Sequence, residues 1–551
     1  MHKHAPSVEG HELAELLKQL NIELPTLRGS PPTPPLASVQ HLLATGRRNN
    51  TLASLAGTMR ARGMTGPAIE AGLQAENKSH FSEPLPDDEV SRIAQSIARY
   101  PAGTSHDDML QSLNDKGNAE RFVAQHMQNV RYVPERSRWL FWDGTCWVED
   151  VVGQIVELAK QTASLIFAEA IGIQSSDLQK LVARHAQLSH QLPRLEAMVK
   201  LAASDPAIVV RDHDLDSHDW LLGVRNGVIE LPSGQLRPHR REDLLTRIAP
   251  VEFDPSAPYP LWGSFIEKVT GGDAELAGYV QRIFGYCLTG MTQEQVFFFL
   301  FGSGANGKST CLNVLREMLG SDLAKQTPYE TLTHKKQGRG STNDLARLQG
   351  VRVALTTEIE DGSQLDESLV KQLTGGESIA ARYLYREFAE FVPKLKLVIA
   401  GNHKPVIRGD DHGMWRRVHL VPFTVTIPDN ERDNRLSEKL KEEYPGILNW
   451  ALEGCLAWQR GGLRPPRAVV DAVAEYRTAS DITGQWVAEF CQEVADKSIG
   501  AMEAYRSYQM WARENGLRPM SNASFGRKLS ERYAKRKTKD RNEYDGLAIK
   551  R

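Results

Sequence analysis

Directly behind the apolar run Val296 to Phe301, the chain reads Gly302-Ser303-Gly304-Ala305-Asn306-Gly307-Lys308-Ser309-Thr310 and so fits G-x-x-x-x-G-K-[ST]. No other stretch restricts the fold as strongly, because such a loop has to join a buried strand to the N-terminus of a helix. The residues after it provide that helix. Cys311, Leu312, Leu315, Met318 and Leu319 recur at helical spacing and stop at Gly320. In a loop of this kind the glycines let backbone N–H groups curl around phosphates, Lys308 brings a cation to the β- and γ-phosphates, and the Ser309 hydroxyl can ligate Mg²⁺. ATP and Mg²⁺ are therefore the expected cofactors, with residues 302–310 as the binding loop.

A length of 551 residues exceeds what one core supports and implies roughly three or four domains. Hydrophobic residues make up 41% and charged residues 25%, and no apolar run reaches the ~20 residues needed to span a bilayer. The N-terminus Met1-His2-Lys3-His4-Ala5-Pro6 has no apolar core behind it, so no secretory signal is expected. Five cysteines without C-x-x-C spacing argue against both a zinc site and a disulfide framework, and a reducing cytoplasm fits. The net charge is only -2, yet the end of the chain is basic. Arg527, Lys528, Arg532, Lys535, Arg536 and Lys537 lie close together there, as in a nucleic-acid contact, although a solvated tail gives the same pattern.

An ATPase also needs an acid at a strand end, to hold Mg²⁺ and to activate the attacking water. Arg352 to Glu360 is the strand expected to deliver it, with Glu358 as that acid and metal ligand. Glu360 points the same way by two-residue alternation and could share the roles. A further apolar strand, Lys394 to Gly401, ends in Asn402, which can orient the lytic water or act as a helix-capping residue before Pro405. Arg416 and Arg417 then precede the strand Val418 to Phe423. An arginine reaching the γ-phosphate of a neighbouring subunit stabilises the transition state, while pairing with Asp410 and Asp411 is the structural alternative.

Taken together, the glycine-rich loop, the Glu strand, Lys371-Gln372-Leu373-Thr374-Gly375-Gly376-Glu377, the Asn strand and the Trp415-Arg416-Arg417-Val418 ending resemble superfamily 3 helicases of the phage and plasmid primase-helicase type. Upstream, Asn226-Gly227-Val228, Phe253-Asp254-Pro255 and Phe284 to Gly290 resemble the lead-in of such proteins, and Gly46 to Leu52 resembles their small domain behind the primase. The resemblance implies an α/β, AAA+-like P-loop core, a ring that is a homo-hexamer, and 3′ to 5′ translocation on single-stranded or forked DNA. It also implies a hairpin before the Asn strand that contacts DNA, for which Lys371, Arg382, Arg386, Lys394 and Lys396 are the candidates. The chain ahead of the small domain is too short for a primase catalytic domain, and the one tempting acidic cluster, Asp212 to Asp216, reads as a turn. A separate primase or polymerase is a candidate partner.

The expected organisation is an N-terminal segment with a Pro-rich linker over 1–36, a small helical primase-C-terminal-like domain over 37–104, and a mixed α/β domain over 115–260. The ATPase core follows over 261–430, a helical connector over 431–465 and a winged-helix DNA-binding domain over 466–551. For the last, Tyr505, Tyr508 and Trp511 line one helix, Ser521 to Tyr533 form a capped second helix, and a Lys/Arg-rich turn leads to the strand Tyr544 to Ile549. The function these features imply is an ATP-driven replicative DNA helicase, with an origin-melting initiator or part of an active primase-helicase as alternatives.

Overall fold

A computed structural model describes residues 48–550 apart from 62, 81–83, 99–109, 172–174, 334–341, 358–361, 382–388, 408–411 and 540. The chain divides into two compact units, Met1–Ser217 with His239–Thr246, and His218–Pro238 with Arg247–Arg551. No described helix is long and apolar enough to cross a membrane.

The first unit begins with α1 (Arg48–Ala61), α2 (Gly66–His80) and α3 (Asp87–Ala98). Asp87, Asp88 and Glu89 occupy the first turn of α3, where the helix dipole favours anions. Leu52 and Ala56 from α1, Ile69 and Leu73 from α2, and Val90, Ala94 and Ile97 from α3 close into one core. After α4 (Asp115–His126), β1 (Val130–Val133), β2 (Arg138–Trp142) and β3 (Trp147–Glu149) form an antiparallel meander. Its Asp-Gly turn is held by the Asp143 carboxylate, which accepts the N–H groups of Thr145 at 2.7 Å and Cys146 at 2.8 Å. α5 (Gln154–Ile171), α6 (Ser176–Ser189) and α7 (Leu192–Ala202) complete the unit. Periodicity alone suggests one continuous helix from 177 to 201. The chain instead breaks after Ser189, because Pro193 in the first turn of α7 has no N–H to continue a helix arriving from upstream. Asp216, from the acidic cluster, accepts the Thr246 N–H at 2.7 Å and so closes a loop.

In the second unit β4 (Leu221–Val224), β5 (Gly227–Glu230) and β6 (Gln235–Arg237) form a small antiparallel sheet. Asn226 in its turn exchanges two hydrogen bonds of 2.9 Å with the Phe253 backbone, which ties the Asn-Gly-Val and Phe-Asp-Pro segments together. α8 (Pro260–Val269) and α9 (Ala274–Cys287) lead into β7 (Phe297–Phe301), α10 (Lys308–Leu323), β8 (Ala324–Gln326), α11 (Thr342–Ala346) and β9 (Val353–Thr356). α12 (Glu367–Gly375), the hairpin β10 (Ile379–Ala381) and β11 (Ala389–Phe391), β12 (Lys396–Gly401), α13 (His412–Trp415) and β13 (Val418–Pro422) follow. A five-stranded parallel sheet in the order β13-β7-β12-β9-β8 organises this region. β7 lies inside it and is buried on both faces, which explains its unbroken apolar run. Phe298 and Leu300 enter one core, Phe297 and Phe299 the other.

α14 (Leu436–Glu442) and α15 (Tyr444–Gly461) return to the first of these cores. There α9 and α15 cross with their backbones touching. A Cβ on Gly285 would stand 2.0 Å from the Cys455 nitrogen, and one on Gly454 2.1 Å from the Gln281 carbonyl. α16 (Arg467–Ser480) packs on the other core, where the Tyr476 ring meets Trp415 at 5.2 Å and its hydroxyl donates to the Pro405 carbonyl.

The chain ends in α17 (Ile482–Phe490), β14 (Cys491–Gly500), α18 (Ala501–Glu514), α19 (Asn522–Ser530), β15 (Lys535–Lys537) and β16 (Asn542–Ile549), with the antiparallel order β14-β16-β15. Trp486, Tyr508, Trp511, Phe525, Leu529 and Tyr544 fill a separate core beneath that sheet. Local pattern does not foretell α17 or β14. β14 is mostly exposed, carries Glu493, Asp496 and Lys497, and shifts register between Glu493 and Ser498, so no two-residue apolar alternation announces it.

Candidate active site

The loop after β7 is shaped by residues that reach conformations closed to most side chains. Gly304 has φ 111°, Ala305 φ 50° and Gly307 φ 81°. Gly302 is required for a different reason. A Cβ there would meet the Asn306 amide nitrogen at 2.0 Å and the Phe423 carbonyl at 2.1 Å. α10 begins at Lys308 and keeps Ser309 exposed in its first turn. It bends at Gly320, where φ 76° and ψ 167° interrupt the helix the sequence suggests would end there, and continues for a last turn to Leu323.

Lys308 is buried, 6% exposed, and its ammonium donates to the Gly302 carbonyl at 2.8 Å, Asn306 Oδ1 at 2.7 Å and Asn402 Oδ1 at 3.1 Å. Burial pushes its pKa down. The ammonium therefore has three neutral acceptors and no carboxylate among them, an arrangement that holds a cation in place without cancelling its charge. Asn402 reaches it from the end of β12, which pairs in register with β7 through Gly401 and Phe301. The structure thus unites Lys308, Asn306 and Asn402. Glu358 and Glu360 lie outside the described residues. β9 ends at Thr356 beside Ile399 of β12, so the chain leaves β9 at the same C-terminal end of the strands as Asn402.

The arginine pair stands at the opposite, N-terminal end of the strands. Val418 pairs with Phe297 and Pro422 with Phe301, so Arg416 and Arg417 lie about 13 Å along parallel strands from the loop. Arg417 is corrected from a candidate for presentation to a neighbour. It is 9% exposed, donating to Thr374 Oγ1 at 3.3 Å and the Gly413 carbonyl at 2.6 Å, and so clamps α12 to α13. Arg416 is exposed and bonded to Gln295 Oε1 at 2.7 Å.

The hairpin candidates divide similarly. Arg382 and Arg386 fall in the connection between β10 and β11, outside the described residues, and Lys371 lies on α12. Lys394 is paired with Asp219 at 2.7 Å. Lys396 is no DNA contact, since only 1% of it is exposed. It donates to the Thr289 carbonyl beneath the Tyr286 ring, and burial pushes its pKa down to about 7. Beside it Arg352 donates to the carbonyls of Leu288 and Leu221. These two buried cations satisfy carbonyls just past the C-terminus of α9, where a helix dipole favours positive charge. A Lys-Leu-Lys alternation on a strand looks like a surface feature in sequence, and nothing local marks one of the pair as internal.

In the terminal module Arg532 pairs with Asp481 at 2.5 Å, and Arg536 lies 3.6 Å from Glu543 and 3.4 Å from Asp545. Lys535, Lys537 and Arg527 are exposed, and Lys528 is half-buried.

Comparison with known proteins matches residues 119–271 to the D5 N-terminal-like family and residues 37–102 to the primase C-terminal 1 family. Residues 300–417, which hold the loop, Asn402 and the arginines, match a family of unknown function. The D5 N-terminal-like and primase C-terminal 1 matches, with the viral relatives below, support a D5-type primase-helicase. A putative helicase of Acanthamoeba polyphaga mimivirus is 30% identical over 334 residues, covering 56% of this chain and 35% of that protein. A putative helicase of Frog virus 3 is 25% identical, covering 55% and 39%, and the primase D5 of Fowlpox virus is 28% identical, covering 30% and 21%. The chain thus spans between about a fifth and two fifths of the length of these relatives. Among solved structures, the NrS-1 C-terminal region covers 75% of this chain and 95% of its own at 9% identity, with a TM-score of 0.39.

Proposed function

We propose that this D5-type chain is an ATP-hydrolysing DNA helicase that acts as a ring, with residues 302–310 binding the nucleotide. The observation that carries this reading is the buried Lys308 ammonium, held at the N-terminus of α10 by neutral acceptors from the loop and from β12. Backbone N–H groups of the loop and the end of α10 suit a triphosphate, and Lys308 stabilises the charge that accumulates as the γ-phosphoryl departs. The exposed Ser309 hydroxyl would hold Mg²⁺ together with Glu358, and the metal when bound neutralises the β- and γ-oxygens. Glu358, which could share the role with Glu360, takes the proton of the attacking water, and Asn402 orients that water. Arg416 is too far along the strands to serve its own loop and in this reading serves a neighbouring subunit in a ring, for which the family resemblance implies a homo-hexamer.

The terminal module has winged-helix order, α17-β14-α18-α19-β15-β16, with α19 as the groove-facing helix and the β15–β16 turn as the wing. Reversing Arg527, Lys535 and Lys537 to glutamate together should leave DNA-free ATP turnover unchanged. Duplex affinity should fall, with the log-log salt slope flattening by about one for each DNA phosphate that the variant no longer neutralises. Titrations across salt concentration check this. Unchanged affinity with an unchanged slope would show that the module does not carry DNA.

A further inference from the structure

Asn306 is almost wholly buried, 2% exposed, in the middle of a loop whose neighbours Ser303 and Ala305 face solvent. Its amide is used at both ends. Nδ2 donates to the Phe423 carbonyl at 2.8 Å and Oδ1 accepts from the Lys308 ammonium at 2.7 Å. Only one orientation of the amide satisfies both partners, since the reverse would set donor against donor and acceptor against acceptor. The amide fills the space that Gly302 leaves by lacking a side chain.

Phe423 begins a strap that crosses the loop. The Phe423 N–H donates to the Phe301 carbonyl at 2.7 Å and the Ile427 N–H to the Ala305 carbonyl at 2.8 Å. Residues 423–427 are thus fastened to the loop at its entry, through Asn306 and at Ala305. Farther on, Glu431 pairs with Lys268 of α8 at 2.6 Å, and α8 contributes the side chains that a Cβ on Gly307 would strike, Val269 at 2.5 Å and Phe265 at 3.0 Å. Lys308 has three N–H donors and three acceptors, so a phosphate oxygen must replace one of them. The Asn402 hydrogen bond is the longest and comes from outside the loop. Gly302 and Asn306 are the acceptors that remain.

We infer that Asn306 is a positioning residue, which anchors the Lys308 ammonium to the strap 423–427 so that it meets the phosphates without searching. This rests on reading the loop as the ATP site. Asn306→Ala should lower turnover at saturating ATP by at least about tenfold while KM for ATP changes by less than about threefold, because the backbone N–H groups still bind the nucleotide. Asn306→Asp keeps an acceptor for Lys308 but sets a carboxylate against the Phe423 carbonyl and cancels the ammonium charge, so it should not rescue turnover.

A second measurement does not depend on catalysis. Competitive acetylation of the nucleotide-free protein with acetic anhydride, followed by mass spectrometry, should show Lys308 reacting several-fold faster in Asn306→Ala than in the wild-type chain, with buried Lys396 unchanged. Faster Lys308 labelling in a chain whose wild type does not hydrolyse ATP would uphold the anchor and overturn the ATP reading. Equal Lys308 labelling in the two proteins, or acceleration of Lys396 to the same degree, would overturn the anchor.

Discussion

Lys308→Ala should reduce ATP hydrolysis by at least about 100-fold, the scale on which removal of one buried, preorganised charge beside a developing anion acts. The ammonium is in place before any nucleotide arrives, held by Gly302, Asn306 and Asn402, and only one of these hydrogen bonds has to yield to a phosphate oxygen. Loss of the side chain also leaves Asn306 Oδ1 buried beside the loop without its cation. ATP binding should weaken less than turnover, since the backbone N–H groups and the α10 N-terminus persist. Steady-state hydrolysis set against equilibrium binding of a fluorescent ATP analogue measures the two separately. Turnover within a few-fold of wild type would remove Lys308 from the chemistry.

Gly285→Val should be strongly destabilising although it lies away from that site. Even the Cβ would lie 2.0 Å from the Cys455 nitrogen and 2.3 Å from the Gly454 carbonyl carbon. Both are backbone atoms, which no rotamer change can move aside, and Gly454 on α15 reciprocates at 2.1 Å from the Gln281 carbonyl. The helices must separate, opening a core that holds Trp262, Trp450 and Trp458. A cost of about 3 kcal/mol or more, at or beyond the upper end of overpacking penalties, is expected. Gly278→Ala on the same helix is the control, because its Cβ would meet only the Arg282 guanidinium, at 3.6 Å, and alanine favours the helix by up to about 1 kcal/mol. Denaturant midpoints of the two variants against wild type test the contrast, and similar midpoints would show that the crossing is not close.

Much of the fold could be read from local pattern. Val296 to Phe301, the spacing of the loop and the apolar face of α10 specify strand, turn and helix because each obeys a short-range rule. The same holds for Leu52, Ala56, Val90, Ala94 and Ile97, whose periodicity marks the faces that are buried. What could not be read depends on partners distant in sequence. The Lys396 ammonium and the Arg352 guanidinium are internal because α9 happens to end above them. Arg417 is buried because Thr374 and Gly413 converge on it, while its neighbour Arg416 faces outward. Asn306 is one letter in a glycine-rich loop until Phe423 arrives from the far side of β7. The strand β14 is hidden by its charge, since only Cys491, Ile499 and Gly500 are buried in it.

In the proposed function, ATP hydrolysis at residues 302–310 drives strand separation. The most direct test of that coupling offers the purified chain a forked DNA duplex with either a 3′ or a 5′ single-stranded tail, with ATP and Mg²⁺, and follows release of the displaced strand. Release should require a 3′ tail, stop with a non-hydrolysable ATP analogue and be lost in Lys308→Ala. Steady ATP turnover and firm DNA binding without strand release from either fork would contradict the proposed function, and would leave a protein that marks or melts DNA rather than one that unwinds it.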